Sequence, residues 1–233
     1  MSTETDRVRR IWEKLAPKYD TDITFFERVL FAGGREWVCS QADVNVLEIA
    51  IGTGRNLPFY PPGVQLTGVD FSPAMLRIAK RCATDLGIDV DLRLGDAQAL
   101  AFEDASFDTV VITLALCSIP DDRKAVAEAW RVLRPGGRML LLEHVRSALL
   151  PVRVVQHLVN FFTVKLVGDH MVREPLEPLR AQRFEIDHLK RSKLGIVERV
   201  VAHKPPAGIR RSSSAAGAEA SPGATGQHVR TNP

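Results

Sequence analysis

From residue 44 onward, short apolar runs alternate with longer segments of helical period. Runs rich in branched apolar residues place strands at 45–50, 64–69, 89–94, 107–113, 138–144, 183–190 and 196–203. Near-continuous apolar runs bounded by turn residues suit strands buried on both faces of a sheet. Helices fall between them, most clearly at 73–87 and 121–134. Ser72 before Pro73 marks a helix start, because the hydroxyl caps an orphan amide and the first helical position needs no donor. Leu133-Arg134-Pro135-Gly136-Gly137 reads as the end of the second of these helices, with a glycine C-cap. This alternation predicts an α/β fold: a doubly wound, seven-stranded, mostly parallel sheet. No helix-length segment separates the last two strands. The last should therefore run antiparallel as a hairpin partner, with Gly195 at the turn.

Three segments stand outside this rhythm. Val8, Ile11, Trp12 and Leu15 share one face of a helix over 6–16, which Pro17 should end before Tyr19-Asp20. Phe25, Phe26, Val29, Leu30, Trp37 and Val38 recur at helical spacing over 24–40, with a weak point at Gly33-Gly34. Residues 147–168 form an unusually apolar helical segment, interrupted by Arg153, Gln156, His157, Asn160 and Lys165. It reads as a helix packed on the sheet, as a cover over an apolar pocket, or as a peripheral membrane contact. The expected organisation is a helical cap at 1–43, a core at 44–204 with 147–170 as its cover, and a tail at 205–233. The tail is rich in Pro, Gly, Ser and Ala and should be disordered.

Composition narrows the class. A chain of 233 residues, 45% of them hydrophobic, can bury the core of one α/β domain. Cys39, Cys82 and Cys117 are scattered and form no CxxC pair, which argues against a disulfide scaffold or a zinc site. The polar start, Met1-Ser2-Thr3-Glu4-Thr5-Asp6, lacks the apolar stretch of a signal peptide, and a cytoplasmic location is expected. The net charge of +3 resides past residue 203, where Lys204, Arg210, Arg211 and Arg230 face Glu219 alone. Residues 1–203 are neutral overall, so no nucleic-acid partner is expected.

The chemistry concentrates after the first strand. Val46-Leu47-Glu48-Ile49-Ala50-Ile51 runs into Gly52-Thr53-Gly54, and Asp70 ends the next strand. A glycine turn at a strand end lets backbone approach a ligand, and an acid about 20 residues on is placed to accept from ribose hydroxyls. Gly95-Asp96-Ala97 ends the third strand with another acid, placed for an adenine amino group. A dinucleotide site would carry a third glycine, but Leu57 stands in that slot, which counts against a nicotinamide oxidoreductase.

The order and spacing of these motifs resemble the class I S-adenosylmethionine-dependent methyltransferases over roughly residues 7–203. The resemblance implies a Rossmann-like methyltransferase fold, S-adenosyl-L-methionine as cofactor and S-adenosyl-L-homocysteine as its product. It implies that Glu48 lies beneath the methionine moiety and holds the glycine loop, that Gly52 and Gly54 form the turn under the cofactor, and that Asp70 holds the ribose. It further implies that Phe71 and Met75 flank the adenine, that Asp96 and Ala97 meet its edge, that Thr113 lies beside the donor, and that Tyr19 closes over the cofactor. The family's first loop often begins with glycine where this chain has Ala50, a replacement expected to be harmless at negative φ.

The acceptor side is less legible. Methyl transfer from a sulfonium needs positioning and exclusion of water, no metal, and a base only when the acceptor is protonated. His144, His170 and Asp169 are the candidate catalytic groups, with His144 equally readable as a satisfied histidine at a strand end. Leu114-Ala115-Leu116-Cys117-Ser118-Ile119-Pro120 and Gly168-Asp169-His170-Met171-Val172-Arg173-Glu174 are similar to thiol S-methyltransferases. Lys14-Leu15-Ala16-Pro17-Lys18-Tyr19-Asp20 is similar to quinone C-methyltransferases and bacterial phospholipid N-methyltransferases. All three branches imply a small, lipophilic acceptor, with a thiol favoured. A methyltransferase-like domain that binds without catalysis is the remaining alternative.

Overall fold

The computed structural model describes residues 3–207. The tail expected from 205 onward lies, past residue 207, outside the described residues. Seven strands form one sheet in the order β3-β2-β1-β4-β5-β7-β6. They are β1 (Asn45–Ile49), β2 (Gln65–Asp70), β3 (Asp91–Leu94), β4 (Phe107–Thr113), β5 (Leu133–His144), β6 (Glu185–Ser192) and β7 (Val197–His203). The first five pair in parallel, whereas β7 runs antiparallel to both β5 and β6. Gly195 sits in the β6–β7 turn at φ 78°. The chain order reverses between β1 and β4, the switch point where open α/β sheets hold their ligands.

Alternate residues of each central strand feed opposite faces. Leu47, Ile49, Val110, Ile112, Met139 and Leu141 pack on one side. Val46, Val111, Leu140 and Leu142 pack on the other, with Val38 and Cys39. Helices α1 (Thr3–Leu30) and α2 (Gly34–Cys39) precede the sheet, and α3 (Pro73–Leu86) and α4 (Asp122–Val132) lie within the alternating part. The start of α3 is as expected: Ser72 Oγ accepts from Met75 N at 3.3 Å with Pro73 behind it. Helix α4 ends at Val132 without a glycine cap, because the chain extends at once into β5, where Leu133 pairs with Phe107. The Gly136-Gly137 pair makes a turn instead, and Gly136 N donates to Lys204 O at 2.7 Å.

The N-terminal expectation needs correction. Pro17 does not end a helix; α1 continues through it to Leu30. An internal proline removes one backbone bond. Here α1 is held along its length by contacts outside itself, with Val8 and Ala16 buried, Asp20 bonded to Thr53 and Glu27 paired with Arg35. The break falls at Gly33, which is left-handed at φ 67°. Gly34 follows because a Cβ there would lie 2.9 Å from Leu142 Cδ2, so α2 seats against β5 only through a glycine.

Helix α5 (Leu150–Val167) follows β5, then α6 (Leu176–Ala181). Helix α5 is not packed on the sheet, because Gln156 is its one buried residue.

Candidate functional site

The C-terminal ends of β1, β2 and β4 open into a cleft of about 790 Å³, its mouth included. That volume suits a drug-sized ligand. Tyr19, Ala50, Gly52, Asp70, Phe71, Met75, Asp96, Ala97 and Thr113 all line it. Glu48 and Gly54 stand behind the lining. His144, Asp169 and His170 are not part of it.

Asp70 is the pivot of the cleft at the end of β2. It is buried, its Oδ2 accepts from Gly52 N at 2.9 Å, and its Oδ1 accepts from Ser72 N at 2.8 Å. Each oxygen keeps a further acceptor site for a ligand hydroxyl. Desolvation pushes its pKa up to about 6, and the amides of Ser72, Gly52 and Phe71 restrain the rise. The carboxylate is therefore ionised at neutral pH. Past the end of β3, Asp96 Oδ1 accepts from Gln98 N and Nε2, each at 2.9 Å.

The loop beneath the cleft is strained. Ala50 has φ 57°, Gly52 φ 59° and Gly54 φ 85°. The expectation of negative φ at Ala50 is thus overturned: the tight exit from β1 needs a left-handed residue, and alanine bears the steric cost. Gly54 answers to packing, since a Cβ there would meet Leu57 Cδ1 at 2.9 Å and Ala79 Cα at 3.2 Å. Leu57, in the slot of the missing third glycine, is itself buried and fills that space. We expect Ala50→Gly to stabilise the protein by about 0.5–1 kcal/mol, the relief of left-handed strain less the added freedom of the unfolded chain. Thermal melting should show a rise of roughly 1–4 °C; a fall would mean that the Ala50 methyl group packs usefully in the cleft.

Glu48 acts through side chains and not through the loop backbone. Its Oε1 accepts from Asn56 Nδ2 and its Oε2 from Tyr60 OH, both at 2.8 Å. Burial pushes its pKa up to about 7, against the hydrogen bonds of Tyr60 and Asn56 and the charge of Arg35. Asn56 Nδ2 also donates to Thr113 Oγ1 at 2.9 Å, which ties the ends of β1 and β4 together.

Arg35, Glu27 and Asn56 were not anticipated from the sequence. Arg35 lines the cleft and donates through Nη1 to Asn56 Oδ1 at 2.8 Å and to Thr113 Oγ1 at 3.0 Å. Its other edge pairs with Glu27. Glu27 also takes Arg55 Nη2 at 2.7 Å, and Asp20 accepts from Thr53 Oγ1 at 2.7 Å. Helix α1 is thereby latched over the glycine loop, with Tyr19 on the cleft wall. Burial pushes the Tyr19 phenol up to about 12, so it stays neutral. Nothing in the sequence singles out Glu27 and Arg35, because each is followed by a charged neighbour, Arg28 and Glu36.

A largely apolar wall of the cleft is formed by Trp12, Leu114, Ala115, Ser118, Ile119 and Pro120. The Trp12 indole N–H is buried without a protein partner. Beneath this wall, Glu143 Oε1 accepts from Ala115 N at 2.8 Å and Leu116 N at 2.9 Å. His144 Nε2 lies 3.3 Å from Asp169 Oδ1, a charge pair without the alignment of a hydrogen bond. Although burial opposes it, Asp169 together with Glu143 raises the His144 pKa, and His144 lowers that of Asp169. The pairing with Asp169 thus favours the protonated form of His144 and makes it the weaker candidate for a proton acceptor. His170 differs: burial and Arg173 lower its pKa, so it is unprotonated at neutral pH. Its backbone N donates to Cys117 O at 2.9 Å.

Among the described residues, Cys117, His144 and Asp169 bring one sulfur, one nitrogen and one oxygen within 4.8 Å of one another. This donor set has the chemistry of a divalent-ion ligand and also that of an ion pair beside a neutral thiol. Burial pushes the Cys117 thiol well above its usual value.

The expected cover is not found in the form anticipated. No residue of α5 lines the cleft, and Phe161 and Phe162 are more than half exposed. Gln156, Asn160 and Thr163 turn inward instead, and most of the large apolar side chains face outward.

A family model described as a methyltransferase domain matches residues 47–141. The chain is 36% identical over 144 residues to a demethylmenaquinone methyltransferase of Thermus thermophilus, covering 57% of this chain and 64% of that protein. It is 34% identical over 169 residues to a thiol S-methyltransferase of Rattus norvegicus, covering 68% and 67%. A phosphatidylethanolamine N-methyltransferase of Cereibacter sphaeroides is 37% identical over 113 residues, covering 48% and 56%. The chain thus spans a little under two thirds of the first of these relatives. Among solved structures, a SAM-dependent methyltransferase of Methanosarcina mazei aligns with a TM-score of 0.58 and 27% identity, covering 71% of this chain and 94% of that one.

Proposed function

The chain belongs to the S-adenosylmethionine-dependent methyltransferases, and from that membership we propose that it methylates a small lipophilic acceptor, in the first place a thiol. The observation that carries the acceptor class is the apolar wall of Trp12, Leu114, Ala115, Ile119 and Pro120 opposite the nucleoside side of one cleft. The nicotinamide alternative falls with the family. The residues present suit the donor. Asp70 has spare acceptor capacity for two ribose hydroxyls, the Gly52 turn leaves room for close approach, and Arg35 offers a cation to the α-carboxylate. The bound donor supplies an already activated methyl group.

The protein's share is positioning and exclusion of water. Tyr19 and Trp12 on α1 close one side of the cleft, and their rings meet edge to face at 5.7 Å. The latch from Asp20 and Glu27 to Thr53, Arg55 and Arg35 holds α1 there. For a thiol acceptor, the thiolate is the reactive form, and at neutral pH only a few per cent of a free thiol is ionised. We take His170 as the candidate proton acceptor, because its lowered pKa leaves it unprotonated at neutral pH; it stands outside the cleft lining and follows Asp169 on the segment bonded to Cys117 O. His144 and Asp169 become positioning residues beside Cys117, in a 114–120 wall held by Glu143 and Arg173. Support for a thiol comes from the match to the thiol S-methyltransferase, which extends over two thirds of both chains. The second reading, a quinol carbon or a phospholipid amine, is favoured by one observation: no histidine lines the cleft itself. The acceptor would be drawn from a membrane surface through the 147–168 segment.

The test is a turnover screen of thiols, quinols, phospholipids and amines that reads release of S-adenosyl-L-homocysteine. We expect His170→Gln to lower thiol turnover roughly tenfold at pH 7 and much less near pH 9, where the thiol ionises unaided. Equal turnover at both pH values would remove the histidine base and favour the carbon or amine acceptor. His144→Gln should instead lower stability. The folded pKa of His144 is raised from 6.5, so its contribution is complete below pH 6.5 and fades as pH rises through the raised value.

A further inference from the structure

Helix α5 is built inside out. A helix on a globular surface turns its apolar stripe to the core and its polar face to water. In α5 three uncharged polar side chains, Gln156, Asn160 and Thr163, face the protein and are engaged there. Gln156 Oε1 accepts from Ser147 N at 2.7 Å, and its Nε2 donates to Val145 O at 2.9 Å. Asn160 Oδ1 accepts from Met171 N at 2.7 Å, and Thr163 Oγ1 donates to Asp169 O at 2.8 Å. These bonds satisfy the backbone of the segments that flank the helix, so its rotation about its own axis is fixed. At 3.6 residues per turn, Leu150, Val154, Leu158, Phe161, Phe162 and Leu166 fall within roughly 160° of the opposite side. Each is more than half exposed, and Leu166 reaches 70%. A contiguous apolar face of this kind marks an interaction surface.

The charges decide what covers it. From His144 to Gly168 the chain carries Arg146, Arg153 and Lys165 and no acidic residue. Lys165 falls within the apolar arc, at about 60° on the same count, and its long stem carries the ammonium out of it, with Nζ 4.0 Å from the Phe161 ring. Two copies meeting through this face would set like charges against one another, whereas anionic headgroups would neutralise them. The helix does not cross a bilayer, because no helix among the described residues is long and apolar enough to do so. We infer that α5 docks flat on an anionic phospholipid surface, its apolar arc in the acyl boundary and Arg153 and Lys165 at headgroup level.

The position of the helix gives this docking a use. Helix α5 meets α1 near its end, where Arg7 Nη2 donates to Val164 O at 3.4 Å and a Cβ on Gly168 would touch Val8 Cγ2 at 2.9 Å. Trp12, one turn further along α1, lines the acceptor side of the cleft. A docked α5 thus sets that side of the cleft near the bilayer, a purpose that rests on the lipophilic acceptor proposed above, although the binding itself does not.

The test is flotation of the full chain with vesicles of phosphatidylcholine alone and of phosphatidylcholine mixed with phosphatidylglycerol. The protein should float with the mixed vesicles, bind those of phosphatidylcholine several-fold less, and release as salt is raised. The double variant Leu158→Glu, Phe162→Glu changes two exposed positions and should keep its circular dichroism melt while losing at least tenfold in vesicle affinity. Unchanged binding by that variant overturns the proposal. So does a wild-type dimer, seen by sedimentation equilibrium, that the same variant dissolves, because the face then belongs to a second copy. Calorimetric titration with S-adenosylmethionine separates the two readings. Donor binding without flotation ends this inference alone, and flotation without donor binding ends the methyltransferase reading alone.

Discussion

Replacing Asp70 with alanine should lower the affinity for S-adenosylmethionine at least tenfold. Its carboxylate sits at the end of β2 with one bond to Gly52 N and one to Ser72 N. It is ionised at neutral pH, and hydrogen bonds to a charged acceptor are worth roughly 1.5–3 kcal/mol each. Two ribose hydroxyls would lose that partner together. Alanine also strands two buried amides, so a stability loss of about 1–3 kcal/mol should accompany the loss of affinity. Asp70→Asn separates the two effects. One acceptor oxygen survives, so the melting temperature should recover in part while donor affinity stays low. Calorimetric titration with S-adenosylmethionine and S-adenosylhomocysteine reads the first effect and thermal melting the second. A loss of affinity below about threefold, against the factor of ten that 1.4 kcal/mol represents, would show that this acid does not hold the ribose.

Arg35→Met should be the most destabilising single change at the site. Arg35 is held by Glu27, Asn56 and Thr113 and is largely shielded from water. Its pKa is raised by Glu27 against the penalty of burial. Removing it leaves Glu27 with Arg55 as its remaining partner and strands Asn56 Oδ1. Breaking a buried ion pair from one side costs about 3–5 kcal/mol, and the Arg55 bond should keep the loss near 3. Donor affinity should fall with it, because the latch on α1 and the cation at the methionine end go together. Arg35→Lys keeps the charge but cannot span three acceptors. It should restore more of the donor affinity than of the stability. A donor affinity in Arg35→Met equal to that of the wild type would place the α-carboxylate elsewhere in the cleft.

The strand order and the cleft were readable because their signals are local. A parallel strand buried on both faces must be apolar throughout, and the acid that ends it stands out against that background. Asp70 and Asp96 could therefore be placed by position alone. The antiparallel β7 followed from loop length, since too few residues separate it from β6 for a crossover. Pro17 misled because local propensity is a weak prior beside tertiary support. The buried contacts of α1 and its Glu27 and Asp20 partners lie far away in sequence. The left-handed Ala50 misled for the same kind of reason: the geometry at the end of β1 is set by Gly52 bonding to Asp70 across the sheet.

Helix α5 marks the limit most clearly. Its composition identified an apolar helix, and periodicity identified which residues share a face. Neither could say which face turns inward, because that depends on the partners each face meets. Gln156, Asn160 and Thr163 face inward because Ser147, Val145, Met171 and Asp169 present backbone groups there that need partners. The histidines divide in the same way. Sequence placed His144 and His170 near the acceptor side without distinguishing them. The pairing of His144 with Asp169 favours its protonated form, and burial with Arg173 disfavours that of His170. The sequence by itself determined the sheet, its switch point and the acids that face it, since burial writes those requirements into neighbouring residues. Only the tertiary structure decided the latch on α1, the orientation of α5 and the opposite surroundings of the two histidines, since each depends on a partner supplied by another part of the chain.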